Sequence, residues 1–150
     1  MSTLDERNPM NKFRLGLTIV IVFIVANFTG YFIHAIWLKQ DYMPIANLYR
    51  PEGQEKMAFI VLAYLAFAIG SVWAYAHGVE NKPWLGQGLR FGIVLWLILS
   101  VPWFFITYAV QPIPALLLAK QIIMEAIDKI VLGLVIAALY RPPRSAVISD

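Results

Sequence analysis

Four ionisable side chains fall within the short stretch Lys120-Gln121-Ile122-Ile123-Met124-Glu125-Ala126-Ile127-Asp128-Lys129. Carboxylates and an ammonium set this close can pass protons, hold a small polar solute, or neutralise one another as a structural ion-pair network. Their setting decides how much that matters. Apolar sequence runs from Ala115 to Ala119 before them and from Ile130 to Tyr140 after them. Neither flank alone reaches the roughly 20 residues that cross a bilayer, so the charges lie inside the expected span. A charged residue at the centre of such a helix costs roughly 2.5–3.5 kcal/mol on insertion scales. The group must therefore face protein or water.

Gln121, Glu125 and Asp128 follow the i, i+4, i+7 spacing of one helix face. Lys129 lies four residues after Glu125 and can pair with it along the helix, whereas Lys120 sits nearer the surface and can snorkel. A second polar stripe with the same spacing, Asn27, Tyr31 and His34, occurs in the first apolar run. At about 1.5 Å per residue, Asn27, Tyr31 and His34 lie roughly 20, 25 and 30 Å above Arg14. Asp128, Glu125 and Gln121 lie roughly 20, 24 and 30 Å above Arg141. Matching depths predict that the stripes face each other, with Gln121 beside His34, Glu125 beside Tyr31 and Asp128 beside Asn27. Tyr64, Trp103 and Thr107 fall at similar depths and are candidate further lining. The bland alternative is interhelical glue, worth about 0.6 kcal/mol per polar contact, and it suits the uncharged Asn27, Tyr31 and Thr107.

The elements that position these groups are read from composition and hydropathy. The chain has 150 residues, 60% hydrophobic and 14% charged, with a mean hydropathy of +0.68. Soluble domains carry roughly 25% charged residues. The expectation is an all-α, four-span transmembrane bundle, up-down-up-down, forming a single membrane domain over 1–150. Its spans fall at about 15–38, 57–77, 89–110 and 115–140. The first run is longer than a signal-peptide core of roughly 7–15 residues and is read as an uncleaved span. No long polar segment leaves room for a separate soluble domain, and with no cysteine thiol and disulfide chemistry are excluded. The net charge of +3 is spread over tails and loops, which argues against nucleic acid as a partner. Arg7, Lys12, Arg14, Lys82, Arg90, Arg141 and Arg144 on one side outnumber Lys39, Arg50 and Lys56 on the other. By the positive-inside rule both termini are expected in the cytoplasm.

The connection Gln40 to Lys56 is rich in turn formers, and a short interfacial helix there is an expectation. Pro102 predicts a kink in the third span. Ala66, Gly70, Ala74 and Gly78 form a small-residue stripe, read as packing within the bundle, with a homodimer seam as the alternative. A weak echo links Arg14-Leu15-Gly16-Leu17 with Arg90-Phe91-Gly92-Ile93, and Pro44-Ile45 with Pro112-Ile113, as a duplicated two-helix unit would.

His34 and His77 fall at opposite membrane sides, which excludes a bis-His haem. A single-His pigment or haem at Gly30-x-x-x-His34 is the remaining cofactor reading, because Gly30 leaves room for a flat ring. A metal held by His34, Glu125 and Asp128 lacks the usual helical ligand pairs and is set aside. No nucleotide-binding loop or catalytic triad is present.

The segments Lys82-Pro83-Trp84-Leu85-Gly86-Gln87-Gly88-Leu89-Arg90-Phe91-Gly92, Tyr108-Ala109-Val110-Gln111-Pro112 and Lys120-Gln121 resemble a group of uncharacterised bacterial four-helix membrane proteins. The resemblance covers the C-terminal half. It implies a four-span inner-membrane protein and carries no activity, cofactor or catalytic residue. The leading expectation for function is an accessory or stabilising subunit of a larger membrane complex; the expected partners are the lipid bilayer and other membrane subunits, or further copies of the chain in a homo-oligomer. The second is a small oligomeric transporter or channel using Glu125, Asp128 and Lys129. The third is a membrane enzyme acting on a lipid or quinone, with Glu125 and His34 as acid and base.

Overall fold

The computed structural model describes residues 11–141, of which 84% are helical, and no strand occurs among them. The tail charges Asp5, Glu6, Arg7 and Arg144, with Pro9, Pro142 and Pro143, lie outside the described residues. Helix α1 is Lys12–Trp37. Asn11 caps it by accepting the Arg14 backbone N–H at 2.9 Å, which satisfies one donor the first turn leaves open. A short α2, Lys39–Tyr42, runs into a 3-10 turn over Met43–Leu48. Helix α3 is Met57–Gly78, α4 is Trp84–Val110 and α5 is Ala115–Leu139. Pro83 and Pro114 stand immediately before α4 and α5.

Three of these helices, α1, α3 and α4, are long and apolar enough to cross a membrane. The chain is a multi-pass membrane protein. Large apolar side chains point outward along these helices, among them Phe28, Phe59, Ile98 and Val110; in a membrane that surface meets acyl chains. Helix α5 is as long as the others and differs in carrying four charges, Lys120, Glu125, Asp128 and Lys129.

Helix α5 is the spine. It packs most extensively on α4 and also on α1, while α3 packs mainly on α1. The α4–α5 crossing is a glycine contact. A Cβ on Gly92 would stand 2.5 Å from the Lys129 carbonyl oxygen, and one on Gly133 would stand 2.5 Å from the Gly88 carbonyl oxygen. Gly88-x-x-x-Gly92 on α4 thus meets Gly133 on α5, the close approach that small residues permit in lipid. The expected stripe of Ala66, Gly70, Ala74 and Gly78 points the other way. All four are exposed, and nothing lies within 4 Å of where a Cβ on Gly70 or Gly78 would be. The face α3 buries carries Ala68, Ser71, Val72 and Tyr75. Gly16 likewise has nothing near it while Gly92 is tightly enclosed, so the two glycines of the sequence echo do different jobs.

Two helices widen locally. Phe32–Trp37 of α1 and Trp96–Ser100 of α4 are π-helical, with backbone bonds from Leu38 N–H to Ile33 O and from Val101 N–H to Trp96 O. The second has an identifiable cause. Pro102 has no N–H to give, and its ring crowds the carbonyl four residues back. The helix takes up that conflict as a wide turn just ahead of the proline.

Helices α3 and α4 touch at one end, where the Tyr75 and Phe91 rings meet edge-on with centroids 5.1 Å apart. Beyond that contact they part. The space between them is a cleft of about 470 Å³, walled by Ala63, Tyr64 and Phe67 of α3 and by Leu99, Trp103 and Phe104 of α4. Its floor is α5. Tyr42 and Tyr49 of the connection also line the cleft, with Gln111 and Ile113, and Leu38 and Ile45 are buried against Ile33, Ile113, Leu117 and Met124.

Candidate functional site

The cleft floor carries the polar face of α5. Leu117, Gln121, Met124, Asp128, Leu132 and Ile136 recur three and four residues apart and are all buried, the spacing of one inward-facing stripe. Glu125 and Lys129 lie beside that stripe, and each exposes 12% of its side chain. The charges therefore turn into the protein and away from lipid.

Glu125 is the hub. Its Oε1 lies 3.2 Å from His34 Nε2. Its Oε2 accepts from the Ser100 hydroxyl at 3.0 Å and from Lys129 Nζ at 2.6 Å. Lys129 Nζ also donates to Asp128 Oδ2 at 2.7 Å and lies 5.5 Å from the centroid of the Phe67 ring. The ammonium thus stands between the two carboxylates, in the position a bound cation would take. His34 and Ser100 both belong to the π-helical stretches. Wide turns are frequent where a helix must aim a side chain at a site, and here one on each side of α5 aims at the same carboxylate.

The network continues outward through Tyr42. Its hydroxyl lies 2.8 Å from His34 Nδ1 and accepts from Gln121 Nε2 at 3.0 Å. A neutral imidazole satisfies every donor in order. The Gln121 amide donates to the Tyr42 oxygen, the Tyr42 O–H donates to Nδ1, and Nε2–H donates to Glu125. Tyr42 stands on the connection outside the spans, and burial pushes its phenol up to about 12, so it keeps its proton to give. The connection is held in place by Lys120 Nζ, which meets Asp41 Oδ1 at 2.6 Å. Lys120 reaches the surface side as its position predicts, and there it finds a carboxylate.

The two stripes meet, though not with the expected partners. His34 binds Glu125 where Gln121 was expected, and Gln121 binds Tyr42. Tyr31, expected beside Glu125, is 63% exposed and faces outward. Asn27 returns its amide to the Phe23 carbonyl of its own helix at 2.8 Å and does not reach Asp128. The inward face of α1 is instead Thr18, Val22, Ala26 and Gly30. Of the candidate further lining, Tyr64, Trp103 and Thr107 all border the cleft, and Thr107 bonds the Trp103 carbonyl of its own turn. Gly30 does make room, but the Tyr64 hydroxyl end fills it. Both ring nitrogens of His34 are engaged, which leaves neither for a haem iron. Tyr42 and Ser100 were missed by the sequence reading. Tyr42 lay in a turn-rich connection, and Ser100 stood alone in an apolar run two residues before Pro102.

Two acceptors in the cleft have no partner among the described residues: Gln121 Oε1 and Asp128 Oδ1, on side chains that are buried. Two carboxylates against one lysine also leave the cluster with one net negative charge when His34 is neutral. The arrangement can therefore relay a proton along Tyr42, His34 and Glu125, and it can receive a positively charged or hydrogen-donating group. The chain matches no described protein family, no curated protein and no solved structure.

Proposed function

We propose that this chain is a four-span protein of a bacterial inner membrane, with both termini cytoplasmic, and that it works as a small carrier whose ionisable cluster handles protons within the bilayer. The charge-bearing α5 is the fourth crossing: its 25 residues give a length of about 38 Å, enough for a span. The observation that carries the reading is the directional chain from Tyr42 at the membrane surface through His34 to Glu125. An ion-pair network serving stability alone needs Lys129 and the two carboxylates, but not a tyrosine and a histidine aligned toward the surface. As Tyr42 takes up a proton from water it gives its own O–H proton to His34 Nδ1, and Nε2–H passes to Glu125 Oε1. Glu125 then releases that proton into the cleft it lines, and the imidazole turns before the next transfer.

The test is proton flux in reconstituted vesicles holding a pH-sensitive dye, driven by an imposed potassium diffusion potential. Wild-type protein should carry protons faster than protein-free vesicles, and Tyr42→Phe and Glu125→Gln should each lower that flux about tenfold or more. Wild-type flux equal to protein-free vesicles overturns the carrier reading.

An accessory-subunit reading is favoured by one separate feature, the outward stripe of Ala66, Gly70, Ala74 and Gly78 on the thinly packed α3. Purification from the native membrane in mild detergent separates the two: constant larger subunits support it, and a lone homo-oligomer counts against it. The enzyme reading has no arrangement of its own to support it, since His34 and Glu125 are bonded to each other.

A further inference from the structure

We infer that the cleft between α3 and α4 binds a primary ammonium group carried on an apolar tail, which arrives sideways from the lipid. The inference rests on the cleft being a site and does not require that protons move through it. Three observations converge on this ligand. First, Gln121 Oε1 and Asp128 Oδ1 are buried, unpartnered among the described residues, and border the same cleft. Both are acceptors, and a buried acceptor left unpaired costs about 1–3 kcal/mol, so a group that completes either must donate hydrogens. The two stand seven residues apart on α5, about 10 Å, so a single ammonium serves Asp128 Oδ1, beside the charges, and not both. Second, the cluster holds one uncompensated negative charge while His34 is neutral, and a cation removes it; a neutral alcohol would not. Third, the walls are apolar and aromatic, with Tyr64, Phe67, Trp103 and Phe104. Such rings favour a cation near their faces and an alkyl chain along them. Asp128 lies thirteen residues into α5, about 20 Å from its start at Ala115, so a ligand that reaches it from the side must have a tail at home among acyl chains.

One polar contact already in the cleft supports the charge argument. Lys129 is the cluster's own primary ammonium, and it satisfies only Oδ2 of Asp128. The opposite oxygen is buried and has no donor among the described residues, on a residue that lines the cleft. The same chemistry can come from a free long-chain amine or from the ethanolamine headgroup of a lipid.

The experiment is calorimetric titration of the detergent-solubilised full chain with dodecylamine, referenced to protein-free micelles. It is repeated with dodecyltrimethylammonium, which has the charge without N–H donors, and with dodecanol, which donates without charge. Saturable binding of dodecylamine is expected, about tenfold or more tighter than either analogue. Asp128→Asn should weaken it about tenfold. Because that variant alters a charged cluster, Ala63→Phe gives a second route: it narrows the cleft wall without touching a polar atom and should also abolish saturation. Trp73→Phe, on an exposed part of α3, should leave it unchanged. Competition by phosphatidylethanolamine but not phosphatidylcholine assigns the amine to a lipid; no competition by either assigns it to a free amine. No saturable binding, trimethylammonium binding as tight as the amine, or full binding by Ala63→Phe overturns the inference. Amine binding without proton flux would retain it and discard the carrier reading alone.

Discussion

Replacing Lys129 by methionine removes the one ammonium that both buried carboxylates share, at 2.6 Å from Glu125 Oε2 and 2.7 Å from Asp128 Oδ2. The losses are unequal. Glu125 keeps His34 and Ser100. Asp128 keeps no partner among the described residues, since its other oxygen has none. Breaking a buried pair from one side costs about 3–5 kcal/mol, because the remaining charge is stranded. With Glu125 still bonded, the lower end applies, and about 3 kcal/mol is a factor of roughly 150 in the unfolding constant. An exposed pair would cost only about 0–1 kcal/mol, so the two cases are well separated. Adding Asp128→Asn to Lys129→Met removes the stranded charge and should restore about 2 kcal/mol, a coupling that a double-mutant cycle isolates. The assay is unfolding by increasing dodecyl sulfate in mixed micelles, followed by tryptophan fluorescence. A Lys129→Met protein within about 0.5 kcal/mol of the parent, or additive single changes, would refute the shared ammonium.

Gly92→Val should destabilise by about 1–3 kcal/mol or more through overpacking against the Lys129 carbonyl, while Gly70→Val, with nothing within 4 Å, should stay within about 0.5 kcal/mol in the same unfolding assay. Lys120→Met frees Asp41 and should cost no more than about 1 kcal/mol, since that pair is partly exposed; limited proteolysis after Tyr42 or Tyr49 should nonetheless speed up as the connection loosens. The raised Tyr42 pKa gives a pH dependence with a definite sign. The folded state holds the phenolic proton more tightly than the unfolded chain does, so the contribution is complete below pH 10 and is lost as pH rises toward about 12. Its size is on the order of 2 kcal/mol, and Tyr42→Phe should flatten the stability curve in that alkaline window alone.

The positions of the helices were legible because apolar length is a one-dimensional property. The connection after Trp37 and the reversal at Gln111-Pro112-Ile113-Pro114 fall where turn formers cluster. The buried charges of α5 were legible for the same reason, since no flank on either side of Lys120 to Lys129 could span alone. Which side of each helix faces inward was not legible. In water an apolar face marks the core, but in lipid both the core and the outside are apolar, so α1 offered its polar residues as the only guide. That guide pointed to Asn27 and Tyr31, about one residue away from the face where Ala26 and Gly30 let Tyr64 lie across the helix. Small residues mislead in the same way when read by spacing alone. Ala66, Gly70, Ala74 and Gly78 keep a perfect four-residue period on an exposed side of α3, whereas Gly88, Gly92 and Gly133 sit where a backbone must come within reach of another backbone. The π-helical turns complete the difficulty. A periodicity argument assumes a constant turn, and the two places where α1 and α4 abandon it are those that deliver His34 and Ser100 to Glu125. The site is built where the regular pattern fails, so a reading based on regular pattern could find the carboxylate, Lys129 and His34, but not Ser100, nor that His34 is the residue of α1 that meets Glu125.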